Sequence, residues 1–218
     1  MVPERTGAGN RPRARRLRVS NYERKDAAYR AAKKAGLRSR AGIKLEDLDA
    51  RFQLFSSGQT VVDLGCWPGA WLQVASQRVG AGGRVVGVDL VETQGFGADN
   101  VVIMVGDAAD PKVRCAVREA VGGRADVVLS DMAPKLTGVR ATDSAREEAL
   151  VAIAVDIARE LLGPRGKLLV KLFSSVEASM TRCLRQEFAT VTPFRPASTR
   201  KGSSEIYALA YGRRADRA

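Results

Sequence analysis

Acidic residues stand at or near the ends of several predicted strands, where they could bind a ligand. Each follows or interrupts a short apolar run, and the four are Asp63, Asp89, Asp107 and Asp131. In a parallel α/β sheet the carboxyl ends of the strands meet at one rim, so these carboxylates are predicted to lie close together. Taken singly, each is more often a helix cap or a turn residue. Their recurrence at successive strand ends indicates a binding site.

One lysine is predicted to reach the same rim. Lys171 lies in the run Lys167-Leu-Leu-Val-Lys-Leu172, and such a lysine is usually only a solvated strand end. Beside Asp131 at a ligand site it becomes a candidate base. The sequence contains no histidine, which excludes a histidine-dependent triad and most zinc sites, and we predict no metal. Acid–base chemistry must therefore come from Lys, Asp, Glu, Tyr or Cys.

Residues 60–71, TVVDLGCWPGAW, predict a buried strand, a tight turn and a helix N-terminus. Glycines let the backbone approach a ligand closely, but only Gly65 and Gly69 are present, so the dinucleotide fingerprint is not matched. An ordinary strand-to-helix turn is the alternative. Asp63, inside the strand, is costly to bury unless it is paired. Asp89 is placed to accept hydrogen bonds from both ribose hydroxyls of an adenosine, and Asp107 from its adenine amino group.

Positive charge is concentrated at the N-terminus. Residues 1–40 hold thirteen Lys/Arg against three Asp/Glu, which is +10 of the net charge of +12. Such a basic segment usually contacts a polyanion, most often nucleic acid, although a solvated tail is the plain alternative. The three scattered cysteines favour a reducing cytosol, and no apolar run is long enough to span a bilayer. We expect a cytoplasmic, monomeric protein without membrane contact.

Strands and helices alternate after residue 59, which predicts an α/β fold with a Rossmann-like, doubly wound, seven-stranded and mostly parallel sheet. Residues 1–20 are predicted to be a disordered basic arm and residues 21–58 a basic helical extension. The sheet domain covers residues 59–213, and 214–218 form a tail. Strands are predicted at 84–89, 101–105, 125–130 and 167–172, and Gly163-Pro-Arg-Gly166 is predicted to end the long helix before the last of these. The final strand, 205–211, is expected to close the sheet.

Five motifs in order resemble the FtsJ-type ribosomal RNA 2′-O-ribose methyltransferases, from about Tyr22 to Arg213. They are GLRSRAGIKL (36–45), VVDLGCWPGAW (61–71), SDMAPKLTG (130–138), LVKLF (169–173) and RKGSSEIY (200–207). The resemblance implies S-adenosylmethionine as cofactor and ribosomal RNA of the large subunit as partner, with a uridine ribose as the acceptor. It departs at Ala70, where the family often has glycine, and after Lys171, where glycines common in the family are missing.

The resemblance also implies the site residues. The family's catalytic tetrad falls on Lys44, Asp131, Lys171 and Glu205, with Lys171 as the expected proton acceptor or, alternatively, a charged group that orients the hydroxyl. Cofactor contacts are predicted at Asp63, Gly65, Pro68, Gly69, Trp71, Asp89, Asp107 and Asp131. RNA contacts are predicted at Lys33, Lys34, Arg38, Arg40, Arg200 and Lys201.

Three other functions remain open from the sequence. The acceptor could be transfer RNA or another RNA, because related enzymes share a similar tetrad. An NAD-dependent oxidoreductase is disfavoured by the missing third glycine and the absence of a Tyr-x-x-x-Lys pair. A non-catalytic RNA-binding or assembly factor is disfavoured by the intact tetrad.

Overall fold

The computed structural model describes residues 27–200 and 202–214 of the 218-residue chain. The predicted basic arm, residues 21–26 of the predicted extension and residues 215–218 of the predicted tail therefore lie outside the described residues. The helices are α1 (Ala27–Lys34), α2 (Ala41–Phe52), α3 (Ala70–Val79), α4 (Pro111–Ala120), α5 (Arg140–Leu161) and α6 (Glu177–Glu187). The strands are β1 (Thr60–Leu64), β2 (Arg84–Asp89), β3 (Val101–Val105), β4 (Ala125–Ser130), β5 (Leu162–Phe173), β6 (Phe188–Phe194) and β7 (Glu205–Arg213).

The seven strands form one mixed sheet in the order β3-β2-β1-β4-β5-β7-β6. The first five pair in parallel, and β7 pairs antiparallel with both β5 and β6. The strand order reverses between β1 and β4, which is where doubly wound sheets bind their ligands. The predicted fold class is confirmed. The last strand, however, does not lie at an edge of the sheet, because β6 pairs outside it.

Each face of the sheet carries its own apolar core. One core joins alternate residues of the central strands to α4, α5 and α6, and includes Val62 and Val128. The other joins the intervening residues to α2 and α3, and includes Val61 and Val127. This alternation follows from the twofold period of a strand, which sends successive side chains to opposite faces.

The N-terminal extension packs on the α3 side of the sheet. Gly36 ends α1 with a positive φ of 68°, and the amide of Leu37 donates to the carbonyl of Ala32 at 2.9 Å, as in a glycine-terminated helix. Leu45 and Leu48 of α2 are fully buried in the core with α3. Lys44 lies on this same helix, so burial of α2 fixes the position of its amine.

β5 begins earlier than the sequence predicted. The segment Gly163-Pro-Arg-Gly166 was expected to end α5 as a turn, but the strand already starts at Leu162, opposite Ala125. The pairing register with β4 then shifts before it resumes at Val127 and Lys167. The extra residues are taken up in this irregularity, so the predicted strand core from Lys167 onward keeps its alternation.

Candidate active site

The loop between β1 and α3 is shaped by two glycines in the left-handed region. Gly65 has a φ of +80°, and a Cβ there would come within 2.9 Å of the amide nitrogen of Met132. Gly69 has a φ of +98° and precedes the first residue of α3. Ala70 is already helical and buried, so the methyl group that distinguishes this loop from the usual glycine is accommodated. The loop therefore passes close under the start of the Asp131–Pro134 segment.

A cavity of about 150 Å³ opens at this rim, at the carboxyl ends of β1, β2, β3 and β4. The carboxylate of Asp89 accepts hydrogen bonds from the amides of Trp67 at 2.8 Å and Val91 at 2.9 Å. Asp107 accepts one from the amide of Ala109 at 2.8 Å. Each carboxylate oxygen keeps a further acceptor site. The cavity is lined by Gly65, Val88, Asp89, Leu90, Gly106, Asp107, Ala108, Met132, Ala133, Leu150 and Ile153.

Asp63 lies below this loop as a fully buried carboxyl group whose two oxygens have no protein hydrogen-bond partner. Burial, reinforced by the charges of Asp131 and Asp89, raises its pKa well above the usual value. Burial and the charge of Asp63 also raise the pKa of the Cys66 thiol to about 12, so this cysteine offers no thiolate at neutral pH. Unsatisfied buried groups are costly, and strongly perturbed pKa values are common at functional sites.

Two lysine–carboxylate pairs stand beside the cavity. The Lys171 amine lies 3.0 Å from the Oδ1 atom of Asp131 and donates to the backbone carbonyl of the same residue at 2.6 Å. The Lys44 amine lies 2.7 Å from the Oε2 atom of Glu205, and both lysines are nearly buried. The four predicted tetrad residues lie in α2, directly after β4, in β5 and in β7, and the fold brings them together.

Tyr207 connects the two pairs, and the sequence analysis did not identify it. Its hydroxyl donates to Oδ1 of Asp131 at 2.9 Å, and the Lys44 amine lies 5.9 Å from the centre of its ring. Tyr207 pairs with Lys171 across β5 and β7 and follows Glu205 by two residues. The twofold strand period, which places Glu205 and Tyr207 on one face, is the signal that could have found it.

The neighbouring charges shift the pKa values of Glu205 and Tyr207 in opposite directions. Burial acts to raise the pKa of Glu205, but the hydrogen bond and charge of Lys44, with the charge of Lys171, outweigh it and lower the pKa. Burial and the neighbouring carboxylates of Asp131 and Glu205 raise the pKa of Tyr207 well above its usual value. Tyr207 therefore remains a neutral hydroxyl donor, and Glu205 an ionised carboxylate, at neutral pH.

The Arg38 side chain donates hydrogen bonds to the loops at this rim and does not project freely from the surface. Its guanidinium donates to the carbonyls of Pro68 at 3.1 Å, Gly95 at 2.8 Å and Gln94, and it lies over the Phe96 ring at 5.3 Å. These contacts tie the N-terminal extension to the β1–α3 loop and to the segment after β2. The sequence predicted an RNA contact here, and its side-chain donors are largely used within the protein.

The remaining predicted residues occupy different environments. Trp71 is buried, its indole donates to the carbonyl of Ala41 at 2.7 Å, and its ring lies 5.8 Å from that of Tyr207, so its side chain fixes α2 against α3. Lys33 and Lys34 are exposed at the end of α1, while Arg40 and Arg200 are half-buried. Lys201 lies outside the described residues.

Neither a metal site nor a membrane-spanning element emerges from residues 27–200 and 202–214. Within these ranges no three Cys, Asp or Glu side chains cluster as metal ligands would. Over the same ranges, every helix falls short of the length and apolar character needed to cross a bilayer.

The amino-acid sequence of this chain matches a family of known proteins. Residues 37–213 match the model of the FtsJ-like methyltransferases. Ribosomal RNA large subunit methyltransferase E of Methanothermobacter thermautotrophicus is 43% identical over 185 residues, covering 84% of this chain and 88% of the relative. The protein of the same name from Rhodopseudomonas palustris is 45% identical, over 83% of this chain and 77% of the relative.

Two solved structures share the fold. A Plasmodium falciparum crystal structure, described as a ribosomal RNA methyltransferase, superposes with a TM-score of 0.71 over 81% of this chain and 98% of that one, at 24% identity. A fibrillarin/Nop5p complex superposes with a TM-score of 0.57 over 78% of this chain and 80% of that one, at 18% identity. At these identities the likeness supports the architecture alone.

Proposed function

Since this chain belongs to the FtsJ-like methyltransferase family, we propose that it transfers a methyl group from S-adenosylmethionine to the 2′-hydroxyl of a ribose, that of a uridine, in large-subunit ribosomal RNA. The observation that carries this proposal is the pair of lysine–carboxylate contacts, Lys171–Asp131 and Lys44–Glu205, beside the rim cavity. Relatives more than 40% identical bear the name of a large-subunit methyltransferase, which supports the RNA substrate.

The rim cavity fits the proposed cofactor. Asp89 and Asp107 offer carboxylate oxygens at the ends of neighbouring strands, where ribose hydroxyls and an adenine amino group can donate to them. Gly65 lets Met132, which lines the same cavity, lie close to the loop, since a Cβ there would come within 2.9 Å of the Met132 amide nitrogen. The carboxyl group of Asp63 below the loop has no protein hydrogen-bond partner, so its hydrogen-bonding capacity is left for a bound ligand. When bound, S-adenosylmethionine supplies a methyl group activated by a positively charged sulfur.

We assign to Lys171 the role of accepting the proton of the ribose 2′-hydroxyl. A neutral amine has two N–H donors and one lone pair, and the two oxygens of Asp131 take both donors. The lone pair is then left to accept the proton of the ribose hydroxyl. If the amine is charged, its third N–H instead orients the hydroxyl oxygen. Lys44 and Glu205 position this amine and the ribose, and Tyr207 holds the carboxylate of Asp131 in place.

The basic surface supports an RNA partner. Lys33 and Lys34 end α1 on the same extension that carries Lys44, and residues 1–40 supply most of the net positive charge. Contacts to phosphates position an RNA without reading its sequence. The requirement for a 2′-hydroxyl then selects RNA over DNA.

The proposal is tested by the Lys171→Ala variant with large ribosomal subunits from a strain that lacks the chain. Transfer of labelled methyl groups should fall by at least 100-fold, because general-base catalysis typically contributes about 10²–10⁴-fold. The affinity for S-adenosylmethionine should change less than about threefold. Wild-type turnover in this variant would remove Lys171 from the mechanism.

Asp89→Ala is the matched control at the cofactor cavity, and it should weaken cofactor binding more than it slows transfer at saturation. Alkali-resistant dinucleotides identify a 2′-O-methyl product. Bulk transfer RNA, offered in parallel, should remain unmethylated; preferential methylation of transfer RNA would replace the proposed substrate.

A further inference from the structure

A second cavity lies at the end of β5, close in sequence to two of the tetrad residues, Lys171 and Glu205. Its volume is about 280 Å³, and it lies between the start of α5 and the turn that follows β5. This is just below the roughly 300–1,000 Å³ of sites for drug-sized ligands, so it suits one ring system. It is lined by Leu136, Gly138, Arg140, Asp143, Ser144, Glu147, Phe173, Ser175 and Ser204.

Glu147 is the unusual member of this lining. Only 5% of this glutamate is exposed, and one of its carboxylate oxygens accepts a hydrogen bond from the amide of Phe173. Burial raises its pKa, and the nearby positive charge of Lys171 acts in the opposite direction. The proposed methyl transfer gives this carboxyl group no task, although a buried charge is costly to keep.

The second cavity lies close to the lysine, because the charge of Lys171 acts on Glu147 in the cavity lining. Phe173 follows Lys171 by two residues along β5, a distance of about 7 Å on the same face of the strand. Phe173 also pairs with Glu205 across β7. A base held in the cavity would therefore leave its ribose near the amine of Lys171.

We propose that this second cavity receives the base of the nucleotide whose ribose is methylated, and that Glu147 accepts a hydrogen bond from a ring N–H of that base. This inference rests on the proposed function and assigns the contact by which its site recognises the base. RNA-binding proteins commonly read unstacked bases by such contacts to their Watson–Crick edges.

The chemistry of the lining selects among the four bases. An ionised carboxylate only accepts hydrogen bonds, so it complements the ring N–H of uracil or guanine and is repelled by the ring nitrogen lone pairs of cytosine and adenine. The hydroxyls of Ser144, Ser175 and Ser204 border the same space and can donate to the keto oxygens of uracil or guanine. A keto base is therefore favoured.

The first test identifies the nucleoside. Large subunits methylated by the wild-type protein are digested and analysed by mass spectrometry. The expected product is 2′-O-methyluridine or 2′-O-methylguanosine. Methylation only of guanosine riboses would support this inference and replace the uridine of the proposed function. Methylation only of cytidine or adenosine riboses would overturn this inference and leave 2′-O-methyl transfer to the RNA standing, whereas the absence of any ribose methylation would overturn the proposed function as a whole.

The second test isolates the contact. The modified position is mapped, and synthetic RNA fragments carry either the natural base there or the same base methylated on its ring nitrogen. With the wild-type protein, ring methylation should lower kcat/KM by about 10- to 100-fold. With Glu147→Ala the two fragments should differ less than about twofold, since the contact is already lost.

Two variants separate base contact from structural support. Glu147→Gln keeps an acceptor for the Phe173 amide but loses the charge, so it should also lose most of the discrimination while cofactor affinity stays unchanged. Glu148→Gln removes a negative charge from the next residue of α5, which does not line the cavity. It should behave as the wild type. Full discrimination by Glu147→Gln and Glu147→Ala would refute the proposal.

Discussion

Replacing Arg38 by alanine separates a structural role at the rim from an RNA contact. The change removes a guanidinium that donates to the carbonyls of Pro68, Gln94 and Gly95. Hydrogen bonds from charged groups each contribute about 1.5–3 kcal/mol, but this site is partly exposed and water replaces some of them. We therefore expect a net loss of about 2 kcal/mol in the free energy that holds the cofactor loops in place.

This loss should appear in cofactor binding. Because about 1.4 kcal/mol corresponds to a tenfold change, calorimetric titration of Arg38→Ala should show the Kd for S-adenosylmethionine raised by about 10- to 50-fold. The Kd of the Arg38→Lys variant should lie between those of the wild type and Arg38→Ala, since a lysine offers a single point charge in place of a planar fork of donors.

RNA binding should respond differently. The slope of log K against log salt should be the same for Arg38→Ala as for the wild type, because the guanidinium is already engaged by carbonyls. A lost phosphate contact would reduce the slope by about 0.7–0.9. Lys34→Ala, an exposed site on the same extension, is the matched control and should reduce the slope without changing cofactor affinity. Unchanged cofactor affinity with a reduced slope for Arg38→Ala would refute the reasoning.

Other predictions concern buried charges and the basic arm. Burial raises the pKa of Asp63, so as pH rises the unfolded chain loses this proton before the folded protein does, and the free energy of unfolding falls between the unfolded and the folded pKa. The Asp63→Asn variant should abolish this fall and raise the free energy of unfolding in urea by about 1–2 kcal/mol at pH 7. It should also weaken cofactor binding. A destabilised variant would contradict this. The Lys44→Met variant should lower the free energy of unfolding by about 3 kcal/mol, because it leaves the carboxylate of Glu205 without its partner. Adding Glu205→Gln should recover part of this loss. Strictly additive effects of the two substitutions on the free energy of unfolding would show that the residues are uncoupled. Deleting residues 1–20 should weaken RNA binding and flatten its salt dependence; unchanged affinity would make the arm a solubility tail.

The sequence alone predicted the sheet and most of the rim. β2, β3 and β4 have the predicted bounds, because a continuous apolar run ended by glycine or an acid is a local signal. The FtsJ-like family was equally visible in the order of five motifs, and the family comparison confirms it. Tetrad residues as distant as Lys44 and Glu205 were predicted together by that resemblance.

Only the tertiary structure decided the partners of these residues. The periodicity of a sequence does not show which strands pair with each other. The pairing of distant segments places β7 inside the sheet and brings Tyr207 into contact with Asp131. A count of charge likewise could not tell the engaged Arg38 from the exposed Lys34. Local spacing fixes the face on which a side chain lies, whereas hydrogen bonds across 30 or more residues depend on how the elements pack.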